Sequence, residues 1–148
     1  EMQAACMDRF QEQDVVVMCA AVADFRPENA AESKIKKDIG ELNIALVRNP
    51  DILAGMGARK SDRQLLIGFA LETTDGLEAA KEKLKKKNLD LVVLNSLQDT
   101  GAGFGHDTNQ VTLIGPHDAK RLPLLSKSDT AQHLVDYIRD RWQNLHRS

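Results

Sequence analysis

The chain has 148 residues, 42% of them apolar and 28% charged, which is typical of one globular domain with its own hydrophobic core. The formal net charge of −2 creates no strong overall field, so we expect neither nucleic acid nor an acidic membrane surface as a partner. No stretch is long and apolar enough for a membrane helix and no signal peptide is visible, so we expect a cytoplasmic protein. Cys6 and Cys19 follow no metal or disulfide spacing and are expected to be free thiols.

Apolar periodicity and turn residues divide the chain into alternating helices and strands. In chain order, the predicted elements are a helix over residues 1–13, a strand over 15–19, a hairpin arm over 34–47, a helix from 49 to about 59, a strand over 65–70, a helix from 74 or 75 to 87, a strand over 91–95, a hairpin of 111–114 with 122–125, and a final helix from 129 or 130. Regular structure is expected to end at Arg26 and Pro27, because proline restricts its own backbone and that of the residue before it.

The alternation of strands and helices predicts an α/β fold. We expect a three-layer, Rossmann-like sandwich with a mainly parallel sheet and an antiparallel edge hairpin. Neither an internal repeat nor a linker is visible, so residues 1–148 are interpreted as a single domain.

The exit of the first predicted strand is the strongest candidate for a ligand site. Small residues follow the strand from Cys19 to Ala23, then comes an acid, Asp24, and after a polar loop a lysine, Lys34. In open α/β sheets, ligands bind outside the carboxyl ends of parallel strands. Close backbone approach, an acid and a lysine on a loop would suit a phosphate-bearing ligand. From the residues alone, Asp24 could equally be an ordinary turn acid, and Lys34 is more simply a solvated surface lysine.

Three further patterns have a structural interpretation beside a functional one. Asn49 and Pro50 form a good helix start, and a helix start also attracts anions. Phe69 alone would be interpreted as a core residue. Lys83 and Lys87 are four residues apart and therefore share one helix face, which could face solvent or a ligand.

A series of motifs resembles those of phosphopantothenate–cysteine ligase, the synthetase of coenzyme A biosynthesis. They are AAVADFRP at 20–27, KIKK at 34–37, Asn49-Pro50-Asp51-Ile52, Gly68-Phe69-Ala70-Leu71-Glu72-Thr73, Asn88-Leu89-Asp90, and Phe104 with Asp107 and Asn109. The resemblance covers nearly the whole chain, from about Val15 to the last helix.

The resemblance implies a ligase that joins 4′-phosphopantothenate to L-cysteine. Bacterial members of the family use CTP, with Mg²⁺, through an acyl-cytidylate, and they release pyrophosphate and then CMP. Eukaryotic relatives often use ATP, and nothing in the residues themselves decides between the two bases. The family is homodimeric, and the resemblance implies that the arm over 34–47 is exchanged between subunits.

The resemblance also implies which residues carry the chemistry. Lys34 aligns with the family's essential lysine, which contacts the triphosphate and the activated acyl intermediate. The implied nucleotide contacts are Ala20, Asp24, Lys34, Asn49, Pro50, Asp51, Ile52, Phe69, Lys83 and Lys87. No set of protein ligands for a metal is evident. Phe104, Asp107 and Asn109 are interpreted as turn-building residues and left out of the site.

The family comparison further implies that residues 1–148 are a partial synthetase domain, truncated at its N-terminus. An earlier Gly-rich strand–turn–helix and an Asn-bearing loop of the family are not found here, nor is the flavin-dependent decarboxylase that would bind FMN. Two alternatives stay open. One is a dinucleotide-binding oxidoreductase, against which the lack of a G-x-G-x-x-G motif argues, and the other is a non-catalytic α/β interaction module.

Overall fold

The structure is a computed structural model and describes residues 1–31, 33–35, 41–72, 76–96 and 107–147. Its elements are α1 (Met2–Phe10), β1 (Val15–Met18), β2 (Phe25–Pro27), β3 (Leu46–Arg48), α2 (Ile52–Gly57), β4 (Leu65–Glu72), α3 (Gly76–Lys86), β5 (Leu91–Ser96), β6 (Thr108–Asn109), β7 (Val111–Ile114), β8 (Ala119–Arg121), β9 (Leu125–Ser126) and α4 (Lys127–Leu145). The chain divides into two compact units. The first comprises Glu1–Cys19 and Ile52–Ser148, and the second comprises Ala20–Asp51. The single-domain interpretation stays a prediction.

The first unit contains a sheet of five described strands in the order β1-β4-β5-β7-β8. β1, β4 and β5 are parallel, while β7 runs antiparallel to β5 and β8 antiparallel to β7. The carboxyl ends of the parallel strands meet along one edge, which we call the carboxyl edge. Ile114 pairs with Val92 near the start of β5, so the turn after β7 lies at the opposite, amino edge. The predicted α/β fold with a mainly parallel sheet is confirmed.

Two hydrophobic clusters cover the two faces of this sheet, because neighbouring residues of a strand point to opposite sides. Leu66 and Val92 belong to one cluster with Phe10, Met56 and other residues of the first three helices. On the other face, Ile67 and Val93 pack with residues of α4. Full burial of such side chains contributes roughly 1.5–3 kcal/mol each. The result is the predicted three-layer sandwich.

A Schellman motif ends α3. The Leu89 N–H donates to the Leu84 carbonyl at 2.9 Å, and the Asn88 N–H donates to the Lys85 carbonyl at 3.2 Å. Asn88 has a φ of 51°, the left-handed conformation that such helix ends require and that Asn adopts more readily than most residues. Leu84 and Leu89 both enter the core, which completes the motif. The Asn-Leu-Asp sequence is thus a helix stop.

Two predictions about the second half of the chain were wrong. The partner of β7 is Ala119–Arg121, not 122–125. The Leu122 N–H still donates to the Val111 carbonyl at 2.9 Å, but the chain then leaves β7 and Leu125 pairs with Asn109 instead. α4 begins at Lys127, earlier than predicted, because Ser126 is its cap: the Ser126 Oγ accepts from the Asp129 N–H at 3.0 Å.

In the described chain, no helix has the length and apolarity needed to cross a membrane.

The second unit contains the two-stranded pair β2 and β3, with Phe25 opposite Arg48. Regular structure ends at Pro27 as predicted, because β2 stops there, although Arg26 and Pro27 themselves lie in β2. A short two-stranded ribbon tolerates the missing N–H of proline. Of the predicted arm over 34–47, residues 36–40 lie outside the described ranges, and only its last two residues belong to β3. None of the described residues in this unit is buried.

Candidate functional site

In the first unit, Lys83 is held at the carboxyl edge of the sheet. Its Nζ donates a hydrogen bond to the backbone carbonyl of Phe69 at 2.9 Å. β1 pairs with β4 only as far as Gly68, so the Phe69 carbonyl lies one residue beyond the point where these two strands stop pairing. This is the position where ligands of open α/β sheets bind. Two residues expected at the same nucleotide are therefore in direct contact.

The side chain of Phe69 is half-buried and packs against the cluster on the α4 face. The space beside Gly68 is filled by the core and leaves no room for a ligand. A Cβ at Gly68 would lie 2.6 Å from Leu53 Cδ2 and 3.1 Å from Leu89 Cδ1. Side chains of the core cluster on the opposite face therefore occupy this space.

Lys87 follows the last residue of α3 and is half-buried like Lys83. Its N–H donates to the Lys83 carbonyl at 3.0 Å, so the two lysines lie one turn apart, as their spacing predicts. The Lys87 carbonyl packs directly on Gly57, where a Cβ would overlap it. The ends of α2 and α3 are thus in backbone contact, which fixes the main chain at Lys87.

The other lysines of α3 differ in environment. Lys85 and Lys86 are exposed, and Lys81 forms an exposed ion pair with Glu78 at 2.8 Å. These three fit the interpretation of a solvated helix face. Only Lys83 and Lys87 combine partial burial with the position implied by the family motif.

Ile52 is the first residue of α2, and its side chain is 8% exposed within the core cluster. It can therefore offer a ligand only its backbone groups. The helix begins three residues after Asn49, which was predicted as its cap. That prediction was wrong, because the Asn49 side chain makes tertiary hydrogen bonds within the second unit.

In the second unit, Asn49 holds the loop that follows β1. Its Nδ2 donates to the Ala23 carbonyl at 2.8 Å, and its N–H donates to the Asp24 carbonyl at 2.7 Å. Its Oδ1 accepts from Arg26 Nη1 at 3.0 Å. Both backbone and side chain of Asn49 thus fix the loop that carries Asp24, so its contribution to any ligand site includes positioning.

The remaining candidate residues of this unit are exposed: Ala20, Asp24, Lys34, Pro50 and Asp51. The carboxylate of Asp24 and the ammonium of Lys34 have no partner within the described ranges. Both groups are accessible to a ligand. Ala20 has no polar side chain, so only its backbone can take part.

Asn109 was interpreted as a turn-building residue, yet it lies at the carboxyl edge. Its Nδ2 donates to Asn95 Oδ1, at the end of β5, at 2.7 Å. The Asn109 Oδ1 is buried and has no hydrogen-bond partner in the described part of the chain. A buried acceptor without a donor is costly and is often found at functional positions. Its signal in the sequence was the family motif that it forms with Phe104 and Asp107. Phe104 lies outside the described residues.

Among the described residues, no group of three or more His, Cys, Asp or Glu side chains could hold a metal ion. Mg²⁺ is commonly bound through substrate phosphates and one or two carboxylates. The isolated, exposed carboxylate of Asp24 therefore fits a Mg²⁺ ion only where ligand phosphates supply the other oxygens.

The three-layer fold with Lys83 at its carboxyl edge defines an α/β domain suited to a phosphate-bearing ligand. The chain matches the family described as DNA/pantothenate metabolism flavoprotein C-terminal domain over residues 1–141. It belongs to this family.

Several relatives resemble the chain along most of its length. It is 42% identical over 139 residues to the coenzyme A biosynthesis bifunctional protein CoaBC of Bacillus subtilis, covering 93% of this chain and 34% of the relative. The corresponding protein of Escherichia coli K12 is 41% identical over 150 residues, with 99% and 37% covered. A protein named cysteine/cysteine sulfinic acid decarboxylase, from an unknown prokaryotic organism, is 46% identical over 139 residues, with 93% and 39% covered. The chain thus spans well under half the length of these relatives.

Solved structures agree with this assignment. The C-terminal domain of a CoaBC protein superposes with a TM-score of 0.77 at 35% identity, covering 97% of this chain and 62% of that one. A Cab2 mutant in complex with phosphopantothenate-cysteine superposes with a TM-score of 0.65 at 24% identity, covering 88% and 45%, and shows a shared fold.

Proposed function

We propose that the chain is the synthetase part of a coenzyme A biosynthesis enzyme, a ligase that joins 4′-phosphopantothenate to L-cysteine with consumption of CTP. The observation that carries the proposal is the contact between Lys83 and Phe69 at the carboxyl edge. The family match over residues 1–141 and the names of the CoaBC relatives support it. A cytoplasmic location is part of the same proposal.

The chemistry explains why a triphosphate is consumed. A carboxylate cannot expel an oxide, so one carboxylate oxygen of phosphopantothenate attacks the α-phosphorus of CTP, and pyrophosphate leaves. The resulting acyl-cytidylate is a mixed anhydride. The neutral amine of cysteine then attacks its carbonyl carbon, CMP leaves, and the nitrogen loses a proton as the amide forms.

Lys34 is the proposed catalytic residue. Attack on the α-phosphorus concentrates negative charge, which an aimed cation stabilises more in the transition state than in the ground state. Lys34 is exposed and has no partner in the described chain, so its ammonium is available for this role. Loss of one such donor typically lowers the rate by about 10²–10³-fold.

We propose that Lys83 and Lys87 contact the phosphates of the nucleotide, with Phe69 beside them. The Phe69 carbonyl restrains Lys83 before a ligand binds, and this reduces the ordering cost of binding. The backbones of Ala20 and Ile52, the Asn49–Asp51 segment and the carboxylate of Asp24 are the remaining proposed nucleotide contacts. Mg²⁺ would arrive with the triphosphate, whose charge it neutralises.

Calorimetric titration with CTP, ATP and NADH in Mg²⁺ tests the proposal. Lys34→Gln and Lys83→Gln should each weaken CTP binding by about five- to tenfold, because each removes a charge-assisted contact. Lys86→Gln is the matched control on the exposed side of α3 and should bind as the wild type does. Tighter binding of ATP than of CTP would support a ligase that uses ATP in place of CTP. Binding of NADH alone would favour the oxidoreductase, and unchanged CTP binding in both variants would favour a non-catalytic module.

A further inference from the structure

A groove of about 330 Å³ lies at the amino edge of the sheet in the first unit. α3 contributes Lys81, Leu84 and Lys85 to it, and the turn after β7 contributes residues 115–119. The register of Ile114 with Val92 puts this turn at the start of β5, away from the carboxyl edge. The groove is therefore distinct from the proposed nucleotide site.

The rim of the groove is cationic. Lys81 and Lys85 are four residues apart and project from the same side of α3. Lys85 has no ion-pair partner in the described part of the chain. Lys81 bonds only the exposed carboxylate of Glu78, and an exposed pair of this kind is easily exchanged for another anion. His117 adds a third nitrogen donor on the side of the turn.

The carboxylate that lines the groove is already neutralised. Asp118 accepts from the Arg141 guanidinium and from the Tyr137 hydroxyl, which is 2.9 Å from its Oδ2. Gly115 makes this clamp possible, since a Cβ there would lie 2.7 Å from the Tyr137 hydroxyl and would overlap the carboxylate. With Asp118 turned to α4, the groove keeps a net positive charge.

The groove also has an apolar lining, which we call its floor and which consists of Leu84, Pro116 and Ala119. Leu84 is 6% exposed, so the floor is continuous with the core. A volume of this size is at the lower end of the range for small-molecule sites. We infer that the groove binds a small phosphate monoester, whose dianion contacts Lys81 and Lys85 while an apolar or aromatic body lies on Leu84 and Pro116.

Amide NMR titration of the 148-residue chain with phenyl phosphate tests this inference. Saturable shifts are expected for His117, Asp118, Ala119 and the second half of α3. The double variant Lys81→Gln/Lys85→Gln should weaken this binding by about tenfold or more, because it removes both cations. Lys86→Gln, on the same helix but outside the groove, should leave the affinity unchanged.

Inorganic phosphate serves as the second probe. It should shift the same amides with several-fold lower affinity, because it cannot use the apolar floor. Equal affinity for the two probes would overturn the role of Leu84 and Pro116. No saturable shift at residues 117–119, or equal binding by the double variant, would overturn the site. Shifts confined to the carboxyl edge would count against it in the same way and would leave the proposed function intact.

Discussion

The side-chain amide of Asn88 donates a hydrogen bond to the backbone carbonyl of Gly57 at 2.8 Å. This bond joins the residue after α3 to the last residue of α2, and the Lys87 carbonyl packs on Gly57 from the same side. An unpaired carbonyl at a helix end is thereby satisfied by a side chain. The left-handed Asn88 both stops one helix and closes the end of another.

The two glycines of α2 should respond oppositely to alanine. Gly57→Ala should lower the free energy of unfolding by about 2–4 kcal/mol, because its Cβ would overlap the Lys87 carbonyl and neither backbone can move cheaply. Gly55→Ala meets no atom within 4 Å and should raise stability by about 0.5–1 kcal/mol, as alanine favours the helix. Urea unfolding measures both. Equal effects would show that the two ends do not pack as described.

The Lys60–Asp90 ion pair should contribute more to the free energy of unfolding than the Lys81–Glu78 ion pair does. Asp90 Oδ1 lies 2.7 Å from Lys60 Nζ, and its Oδ2 also accepts from the Leu66 N–H at 2.7 Å. The Lys60 side chain is only 11% exposed, so Asp90→Asn leaves a nearly buried cation without its partner. We expect Asp90→Asn to lower the free energy of unfolding, measured in urea, by about 1–3 kcal/mol.

Glu78→Gln is the matched control for Asp90→Asn, since it breaks a lysine–carboxylate pair with a similar N–O distance that is exposed to solvent. It should lower the free energy of unfolding by less than about 0.5 kcal/mol, and high salt should remove even this small effect because it screens exposed charges. A control variant as unstable as Asp90→Asn would contradict the assigned difference in burial.

Tyr137 should titrate above the ordinary tyrosine value. Burial raises its pKa, its hydrogen bond with Arg141 lowers it, and its hydrogen bond to Asp118 raises it, with a net increase. Because the folded pKa exceeds the unfolded one, Tyr137 contributes stability fully at pH values below about 10, and this contribution is lost as the pH rises through the folded pKa. Tyr137 is the only tyrosine, so absorbance at the phenolate band measures it directly.

Tyr137→Phe supplies the comparison. Its stability should fall less steeply than that of the wild type between about pH 9 and 11, because the phenylalanine cannot ionise. A phenolate midpoint at or below that of free tyrosine would show that the Asp118–Tyr137–Arg141 clamp does not form in solution.

The second unit should form the interface of a homodimer. Its large apolar side chains are exposed, with Leu42, Ile44 and Leu46 exposed by 54–59%. A concentration of exposed apolar side chains of this kind often marks a protein interface. Sedimentation at micromolar concentration should give a dimer, and Ile44→Glu should convert it to a monomer, because a charge cannot be buried there without a partner.

Val135→Glu is the control for the dimer prediction. Val135 lies on α4 and is exposed by 57%, similar to Ile44, but it belongs to the first unit. The variant should sediment as the wild type does. A monomeric wild type would contradict the prediction, as would dissociation caused by Val135→Glu alone.

Strands could be predicted from the sequence where both of their faces are buried. The runs that became β1, β4 and β5 are continuous and apolar, so their strands and parallel order could be predicted within two residues at each end. β8 could not, because Ala119, Lys120 and Arg121 are all exposed and carry no apolar signal. The pairing of β8 depends on the turn that starts at Gly115. The apolar Leu122 led to a predicted strand that begins three residues too late.

Within the candidate site, chain spacing predicted the shared face of Lys83 and Lys87 but not what holds them. The Lys83–Phe69 contact spans two elements, and no local pattern encodes it. Asn49 was predicted as a helix cap because local rules favour it there. Its hydrogen bonds to Ala23 and Arg26 are tertiary, and they outweighed the local preference.

The one tryptophan of the chain, Trp142, lies on α4 with the one tyrosine, and both pack on the same cluster. Intrinsic emission therefore reports whether α4 is docked on the sheet. Residues 20–51 contain neither fluorophore and are optically silent. A fluorescence melting curve would describe only the first unit, and a separate loss of order in the second would be visible only to a label placed there or to amide exchange.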